Sequence, residues 1–136
     1  MRPHDLAYRA GFEIGNYASI GAYNGTLKDT PATDPGAAAI REKLKRAGWQ
    51  RGDVQRIEIN EAFAAVPLAV LRQLGFPEDI VNVEGGAIAH GHAIGATGAV
   101  LATRLMHSMR RDGLKRGIVT LCIGSGQGIA LALEAF

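Results

Sequence analysis

Three short polar segments contain the residue types from which acyl-transfer chemistry can be built. Asn60 and Glu61 follow an apolar run, His90 and His92 lie in a glycine-rich passage, and Cys122 precedes another glycine cluster. A histidine can polarise a carbonyl or deprotonate a thiol, and backbone amides next to glycines can stabilise an oxyanion. These segments therefore indicate thiol or acyl chemistry if the fold brings them together.

Each of these side chains also has an interpretation without chemistry. Cys122 lies in an apolar run, where an inert core cysteine is common. His92 suits a local hydrogen-bonding role, and Asn60 suits a turn or a cap. Spacing alone leaves these alternatives open.

Several other ligand classes find little support in the sequence. His90 and His92 are accompanied by one cysteine in the whole chain and by Glu84 as the nearest carboxylate, so no metal site is expected. The glycines at 124, 126 and 128 lead into a strand rather than a helix, unlike a phosphate-binding loop. The basic residues between 104 and 116 lack aromatic neighbours for stacking on bases, so no nucleic acid partner is expected.

Composition predicts one globular domain over residues 1–136. The chain is 47% hydrophobic with a formal net charge of +2, which allows one sizeable core and indicates no strongly charged partner. A single cysteine excludes an intrachain disulfide framework and favours a reducing, cytoplasmic setting. No signal peptide and no run long enough to span a bilayer is recognisable, so neither export nor membrane association is expected.

The first clear helix signal begins at Asp34, a capping residue that precedes Pro35, and ends at Gly48. Its apolar residues recur on one face: Ile40, Leu44 and Ala47. Further helices are predicted from just before Pro67 to about residue 74, and over about 98–111, where Leu101, Leu105 and Met109 form a stripe.

Strands are predicted between these helices. The pattern indicates a short strand between Tyr8 and Ile20, then strands at 53–60, 81–83, 117–123 and 129–134, with residues 60–64 as a strand-to-helix loop. The last two strands are apolar on both faces, which favours an α/β fold with a mixed sheet covered by helices and a final strand-turn-strand hairpin. Because ligand sites gather at strand ends in such sheets, the three polar segments are expected to share one crevice.

These segments together resemble the thiolase family. Asn60-Glu61-Ala62-Phe63, then 91–98 (GHAIGATG), then Cys122-Ile123-Gly124-Ser125-Gly126 are similar to its three C-terminal signatures, in the same order. The resemblance covers residues 34–136 well and residues 1–33 only weakly, through 17–21 (YASIG). Thiolases consist of two similar halves in a five-layered α/β/α/β/α core, and this chain resembles the second half.

The resemblance implies a role for each matched residue. His92 would activate the nucleophilic cysteine and bind the thioester oxygen, and Asn60 would hold a water that completes this oxyanion site. Cys122 would be the acid/base that exchanges a proton with the acetyl-coenzyme A carbanion. The Gly124 amide would belong to a second oxyanion hole. His90 is expected to line the acyl pocket or to be structural, and Phe63 is expected at the substrate.

The resemblance also implies what this chain does not contain. The nucleophilic cysteine and most of the coenzyme A site belong to the family's first half, so the chain is expected to be inactive alone. An N-terminal half or second subunit is the expected partner, within an oligomer. The expected substrate is a coenzyme A thioester in lipid metabolism, such as fatty acid β-oxidation, with no bound cofactor.

Two further hypotheses remain at this stage. One is a non-catalytic, thiolase-like module whose exposed face binds another protein. The other is a ketosynthase-type enzyme, which shares the fold but typically has histidine or asparagine at the position of Cys122.

Two departures from the thiolase pattern put catalytic efficiency in question. Ala93 replaces the usual proline, and Ser125 replaces a usual glycine.

Overall fold

A computed structural model describes residues 12–15, 34–124 and 126–135 of the chain, the first of these ranges by its backbone pairing. Four strands form one mixed sheet with the spatial order β1-β4-β3-β2. β2 is parallel to β3, whereas β4 is antiparallel to both β3 and β1. The strands are β1 (Phe12–Gly15), β2 (Arg56–Ile59), β3 (Arg116–Gly124) and β4 (Gln127–Glu134).

Four helices connect these strands within the described residues. They are α1 (Pro35–Ala47), α2 (Ala65–Leu74), α3 (Ala87–His90) and α4 (Thr97–Asp112), with short 3₁₀ turns at Arg51–Asp53 and Glu78–Ile80. The residues after α1, α2 and α4 are glycines in the left-handed conformation, as helix C-termini favour. None of these helices has the length and apolar character needed to cross a membrane.

Both faces of the sheet are covered, as the apolar strands indicated. Side chains alternate along β3, so Ile118 packs with α1 and α2 while Val119 packs with α4. Leu101, Leu105 and Met109 form the buried stripe of α4. The expected α/β fold, with its mixed sheet, two helical layers and final hairpin, is confirmed.

The start of α1 is held tightly against the sheet. Asp34 Oδ1 accepts hydrogen bonds from the backbone N–H groups of Gly36 and Ala37, at 2.8 and 3.2 Å. A Cβ atom added to Gly128 of β4 would lie 2.2 Å from the Pro35 carbonyl oxygen. Only a residue without a side chain therefore allows this approach of helix and strand.

Three local predictions need correction. The strand predicted at 81–83 is wrong: only Val81 pairs with β2, by a single bridge to Ile57, and Asn82 then takes a left-handed conformation that ends extended structure. The strand predicted at 53–60 begins later, because Arg51–Asp53 forms a 3₁₀ turn. Ala47, expected on the buried face of α1, is exposed at its last turn.

Gly128→Ala is expected to lower the free energy of unfolding by about 2 kcal/mol or more, since the new methyl group meets backbone rather than a movable side chain. Thermal denaturation of the purified chain measures the loss. Gly52→Ala is the matched control, because its Cβ meets nothing within 4 Å. Equal melting temperatures for the two variants would contradict the close packing of α1 on β4.

Candidate active site

Parallel pairing of β2 and β3 brings two of the polar segments to the same end of the sheet. The register aligns Ile59 with Thr120, and the Asn60 N–H donates to the Thr120 carbonyl oxygen at 3.0 Å. Cys122 follows two residues later on β3. Asn60 and Cys122 thus lie at the C-terminal ends of neighbouring parallel strands.

The third segment reaches this end of the sheet through His92. Its Nε2 atom lies 3.5 Å from Asn60 Nδ2, and its Nδ1 atom lies 2.7 Å from Thr97 Oγ1. The Thr97 hydroxyl donates to the Ala93 carbonyl oxygen at 2.8 Å, so its oxygen is free to accept from Nδ1–H. We therefore assign the Nδ1–H tautomer, which leaves the Nε2 lone pair facing Asn60.

Asn60 is fully buried, with 0% of its surface exposed. Its Oδ1 atom is buried and accepts no hydrogen bond from the described residues, whereas Nδ2 faces His92. A buried amide oxygen with an unused acceptor site is the kind of group that binds a water or a substrate donor. The side chain is thus not the simple turn or cap residue that its position also allowed.

Cys122 is half-buried near the end of β3. Burial raises the pKa of its thiol, and the charge of Asp34 adds a smaller increase. The thiol therefore stays protonated at neutral pH, which suits a proton donor better than a nucleophile. Gly124, two residues on, has φ +98° at a bulge between β3 and β4, which explains a glycine there.

The other candidate residues are exposed, as His92 is too. Phe63 is 75% exposed in the loop before α2, and His90 is exposed at the end of α3. Neither side chain makes a hydrogen bond to Asn60, His92 or Cys122 among the described residues. Ser125 lies outside those residues, as do positions 17–21, which carried the weak N-terminal resemblance.

Ala93 has a fixed position although it lacks the ring of the usual proline. Its carbonyl oxygen accepts hydrogen bonds from the Ala96 N–H at 2.7 Å, from the Thr97 N–H at 2.8 Å and from the Thr97 hydroxyl. Thr97, which sequence reasoning did not single out, therefore fixes both the loop and the His92 ring. The sequence signal that was available is a threonine at the start of the helix that follows the histidine loop, whereas its burial is visible only in the structure.

A buried carboxyl group, that of Glu58, lies directly before the site. The Glu58 side chain is 0% exposed, neither of its oxygens accepts a hydrogen bond from the described residues, and Arg104 Nε lies 3.4 Å away. Burial raises the pKa of Glu58 to about 7, against the opposing effect of Arg104. No group of three or more His, Cys, Asp or Glu side chains in the described ranges is arranged to hold a metal ion.

Comparison with known proteins agrees with this fold. The family described as thiolase, C-terminal domain, matches residues 12–135. An acetyl-CoA acetyltransferase from Paracoccus denitrificans is 52% identical over 134 residues, which are 96% of this chain and 33% of that protein. One from Chromobacterium violaceum is 53% identical over 97 residues, which are 71% of this chain and 25% of the relative.

A solved structure shows the same arrangement. The crystal structure of the Bacillus anthracis acetyl-CoA acetyltransferase superimposes with a TM-score of 0.79 at 34% identity, covering 97% of this chain and 33% of that one. The chain belongs to the thiolase family and corresponds to its C-terminal domain. It spans about a quarter to a third of the length of the relatives it matches.

Glu58→Gln is expected to flatten the dependence of stability on pH. Because the pKa of Glu58 is raised from 4.5 to about 7, the native state binds more protons than the unfolded state between these values. The free energy of unfolding therefore falls as the pH rises through this range, by roughly 3 kcal/mol for this group alone. Urea denaturation at a series of pH values measures the slope.

Glu78→Gln is the control for this experiment, since Glu78 is exposed and its replacement removes the same charge. The control should keep the slope of the wild-type chain. A Glu58→Gln variant with that same slope would show that the pKa of Glu58 is not raised in the native state.

Proposed function

We propose that this chain is the C-terminal catalytic domain of a thiolase, which transfers acyl groups between coenzyme A and 3-oxoacyl-coenzyme A by thiolysis or Claisen condensation. The observation that carries the proposal is the Asn60–His92–Thr97 arrangement at the strand end next to the one that holds Cys122. The names of the relatives, all acetyl-CoA acetyltransferases, support the same reaction.

His92 has the chemistry for the first step. With Nδ1–H donating to Thr97, the Nε2 lone pair accepts the proton of an incoming thiol, and the resulting Nε2–H then donates to a thioester oxygen. In this proposal, Asn60 completes that oxyanion site by holding a water, which its unused Oδ1 acceptor supports. Both groups are held before charge develops, which is what makes such donors effective.

Cys122 supplies the second proton transfer. Its protonated thiol gives a proton to the acetyl-coenzyme A carbanion that leaves in thiolysis, and its thiolate removes the same α-proton in condensation. The raised pKa of the thiol favours the proton-donor state at neutral pH. The Gly124 backbone amide belongs to the second oxyanion hole, while Phe63 and His90 contact the substrate.

The reaction also needs a group that these residues do not provide. The single cysteine already has the acid/base role, so the nucleophile comes from an N-terminal half or a second subunit, and residues 1–136 act as one domain that is inactive alone. Exposed apolar side chains on α4, Val100 and Met106, support a contact with that half. The active form is therefore an oligomer or a larger chain.

The substrate is a coenzyme A thioester, and no bound cofactor takes part. The reaction places the protein in lipid metabolism, including fatty acid β-oxidation when it runs as thiolysis. A cytoplasmic location fits the rat and mouse relatives, which are named cytosolic. The relatives' names favour acetyl-coenzyme A as product or substrate.

A non-catalytic interaction module is the second candidate. The exposed apolar residues that favour it are Phe63, Ile88, Ile94 and Val100. In such a module the protonated state of Cys122 has no consequence. Replacing Cys122 in a complex that contains the nucleophilic partner distinguishes the two functions.

Native mass spectrometry of the protein from its own source first identifies the assembly that contains this chain. In that assembly, Cys122→Ala and Cys122→Ser are each expected to lower kcat for thiolysis by about 100-fold or more, because a positioned acid/base contributes about that factor. Exchange of an acetyl group between two coenzyme A molecules needs no α-proton transfer and should fall much less. Consumption of a 3-oxoacyl-coenzyme A measures the first rate, and isotope exchange measures the second.

Full thiolysis by the Cys122→Ala complex would exclude the acid/base role. An assembly without a second reactive cysteine, and without turnover, would favour the interaction module instead. Turnover by the isolated 136-residue chain would contradict the need for a partner.

A further inference from the structure

Asn82 lies beside β2, where β2 has no neighbouring strand in the described part of the chain. Its side-chain amide makes the hydrogen bonds to β2 that the backbone of such a strand would make. Its backbone N–H donates to the Ile57 carbonyl oxygen at 2.9 Å. Its side-chain amide then imitates a peptide group: Oδ1 accepts from the Ile59 N–H at 2.7 Å, and Nδ2 donates to the Ile59 carbonyl at 2.9 Å. Asn82 has φ +46°, the one positive value outside glycine among the described residues, and asparagine tolerates this conformation well.

Glu61 joins this amide to the loop that carries the histidines. Its Oε1 atom accepts from Asn82 Nδ2 at 3.1 Å, and its Oε2 atom accepts from the Ile88 N–H in α3 at 2.9 Å. A Cβ atom on Gly86 would lie 2.2 Å from Glu61 Cδ, so the loop backbone rests directly on the carboxylate. Both carboxylate oxygens of Glu61 therefore take part in linking Asn82 to α3.

These contacts link the two segments that form the oxyanion site. Glu61 is the next residue after Asn60, and Ile88 precedes His92 by four positions. The distance of 3.5 Å between Asn60 and His92 thus depends on how Glu61 holds the start of α3. Neither Glu61 nor Asn82 is hydrogen-bonded to His92 itself within the described residues.

We infer that Glu61 and Asn82 form a positioning pair that sets the geometry of Asn60 and His92 for the thioester oxygen. The inference rests on the proposed function, and it assigns to the pair no contact with reacting atoms. Two donors, one on Asn82 and one on Ile88, face the two Glu61 oxygens. A carboxylate is needed because an amide would turn an N–H group toward one of these donors.

Three variants separate this role from general stability. Glu61→Gln keeps the volume of the side chain but loses one of its two accepted hydrogen bonds. Asn82→Gly removes the amide and permits the positive φ, at the cost of a more flexible backbone, whereas Asn82→Ala adds backbone strain. Glu78→Gln is the matched control, an exposed carboxylate in the preceding 3₁₀ turn.

Kinetics of the complete enzyme assembly provide the first readout. Glu61→Gln and Asn82→Gly are expected to lower kcat for thiolysis by about tenfold or more with KM changed less than about twofold, since displacement of a catalytic group by about 1 Å has such effects. The Glu78→Gln control should keep both constants. A pair that served stability alone would lower the melting temperature and leave kcat of the folded variants unchanged, and that result would overturn the inference.

A second readout does not depend on turnover. Nitrogen-15 NMR of the histidine-labelled assembly should show the Nδ1–H tautomer of His92 in the wild-type protein, assigned by its loss in His92→Asn. In Glu61→Gln and Asn82→Gly, the His92 signals should shift toward a mixture of tautomers, while Glu78→Gln leaves them in place. Unchanged His92 signals in both variants would refute the positioning pair.

The kinetics and the His92 NMR signals together test the proposed function and the positioning pair separately. If the wild-type assembly performs no thiolysis, the proposed function fails, and the His92 signals alone decide whether the pair positions the ring. If the wild-type assembly is active and both variants keep its kcat and its His92 signals, the proposed function stands and the positioning pair is wrong.

Discussion

The parallel hydrogen bonding between β2 and β3 is the constraint on which the site depends. It starts where the Gln55 N–H donates to the Arg116 carbonyl and ends where the Asn60 N–H donates to the Thr120 carbonyl. Parallel strands end at the same edge of a sheet, so this pairing brings Asn60 and Cys122 to one edge from segments about sixty residues apart in the chain. A shift of one residue would send each side chain to the opposite face.

Polar side chains join the sheet edge to the histidine loop. Asn82 replaces a strand, Glu61 binds the loop, and Thr97 orients His92. Hydrogen bonds have strict requirements for distance and angle, so they define one geometry where apolar contacts would allow several. The loop is otherwise exposed from Ile88 to Ala96, and these few bonds hold it in place.

The site also lies beside charge that burial makes costly. Glu58 is fully buried next to Arg104, one residue before the strand residue that Asn82 caps. Removing a carboxylate from water disfavours its charged form, and one arginine at 3.4 Å offsets only part of this desolvation cost. Stability and site geometry thus share the same short strand, and a change in one affects the other.

Local sequence determined much of this protein. Asp34, Pro35 and Gly48 define α1 because caps and breakers act within a few residues, and the stripe of Leu101, Leu105 and Met109 defines α4 through helical periodicity. The types of Asn60, His92 and Cys122 indicated acyl chemistry for the same reason, since reactivity belongs to the side chain itself. The strand expected at 81–83 was wrong because its apolar residues fit the strand period, whereas the left-handed turn at Asn82 depends on a partner.

Only the tertiary structure decided how these residues meet. The bonds from Asn82 to Ile59, from Ile88 to Glu61 and between Asn60 and His92 join positions 23, 27 and 32 residues apart. No local pattern encodes such contacts, because they depend on the register of the strands and on the path of the loop above them. The His92 tautomer and the raised pKa values of Cys122 and Glu58 follow from that packing, since each is set by neighbours that the fold supplies.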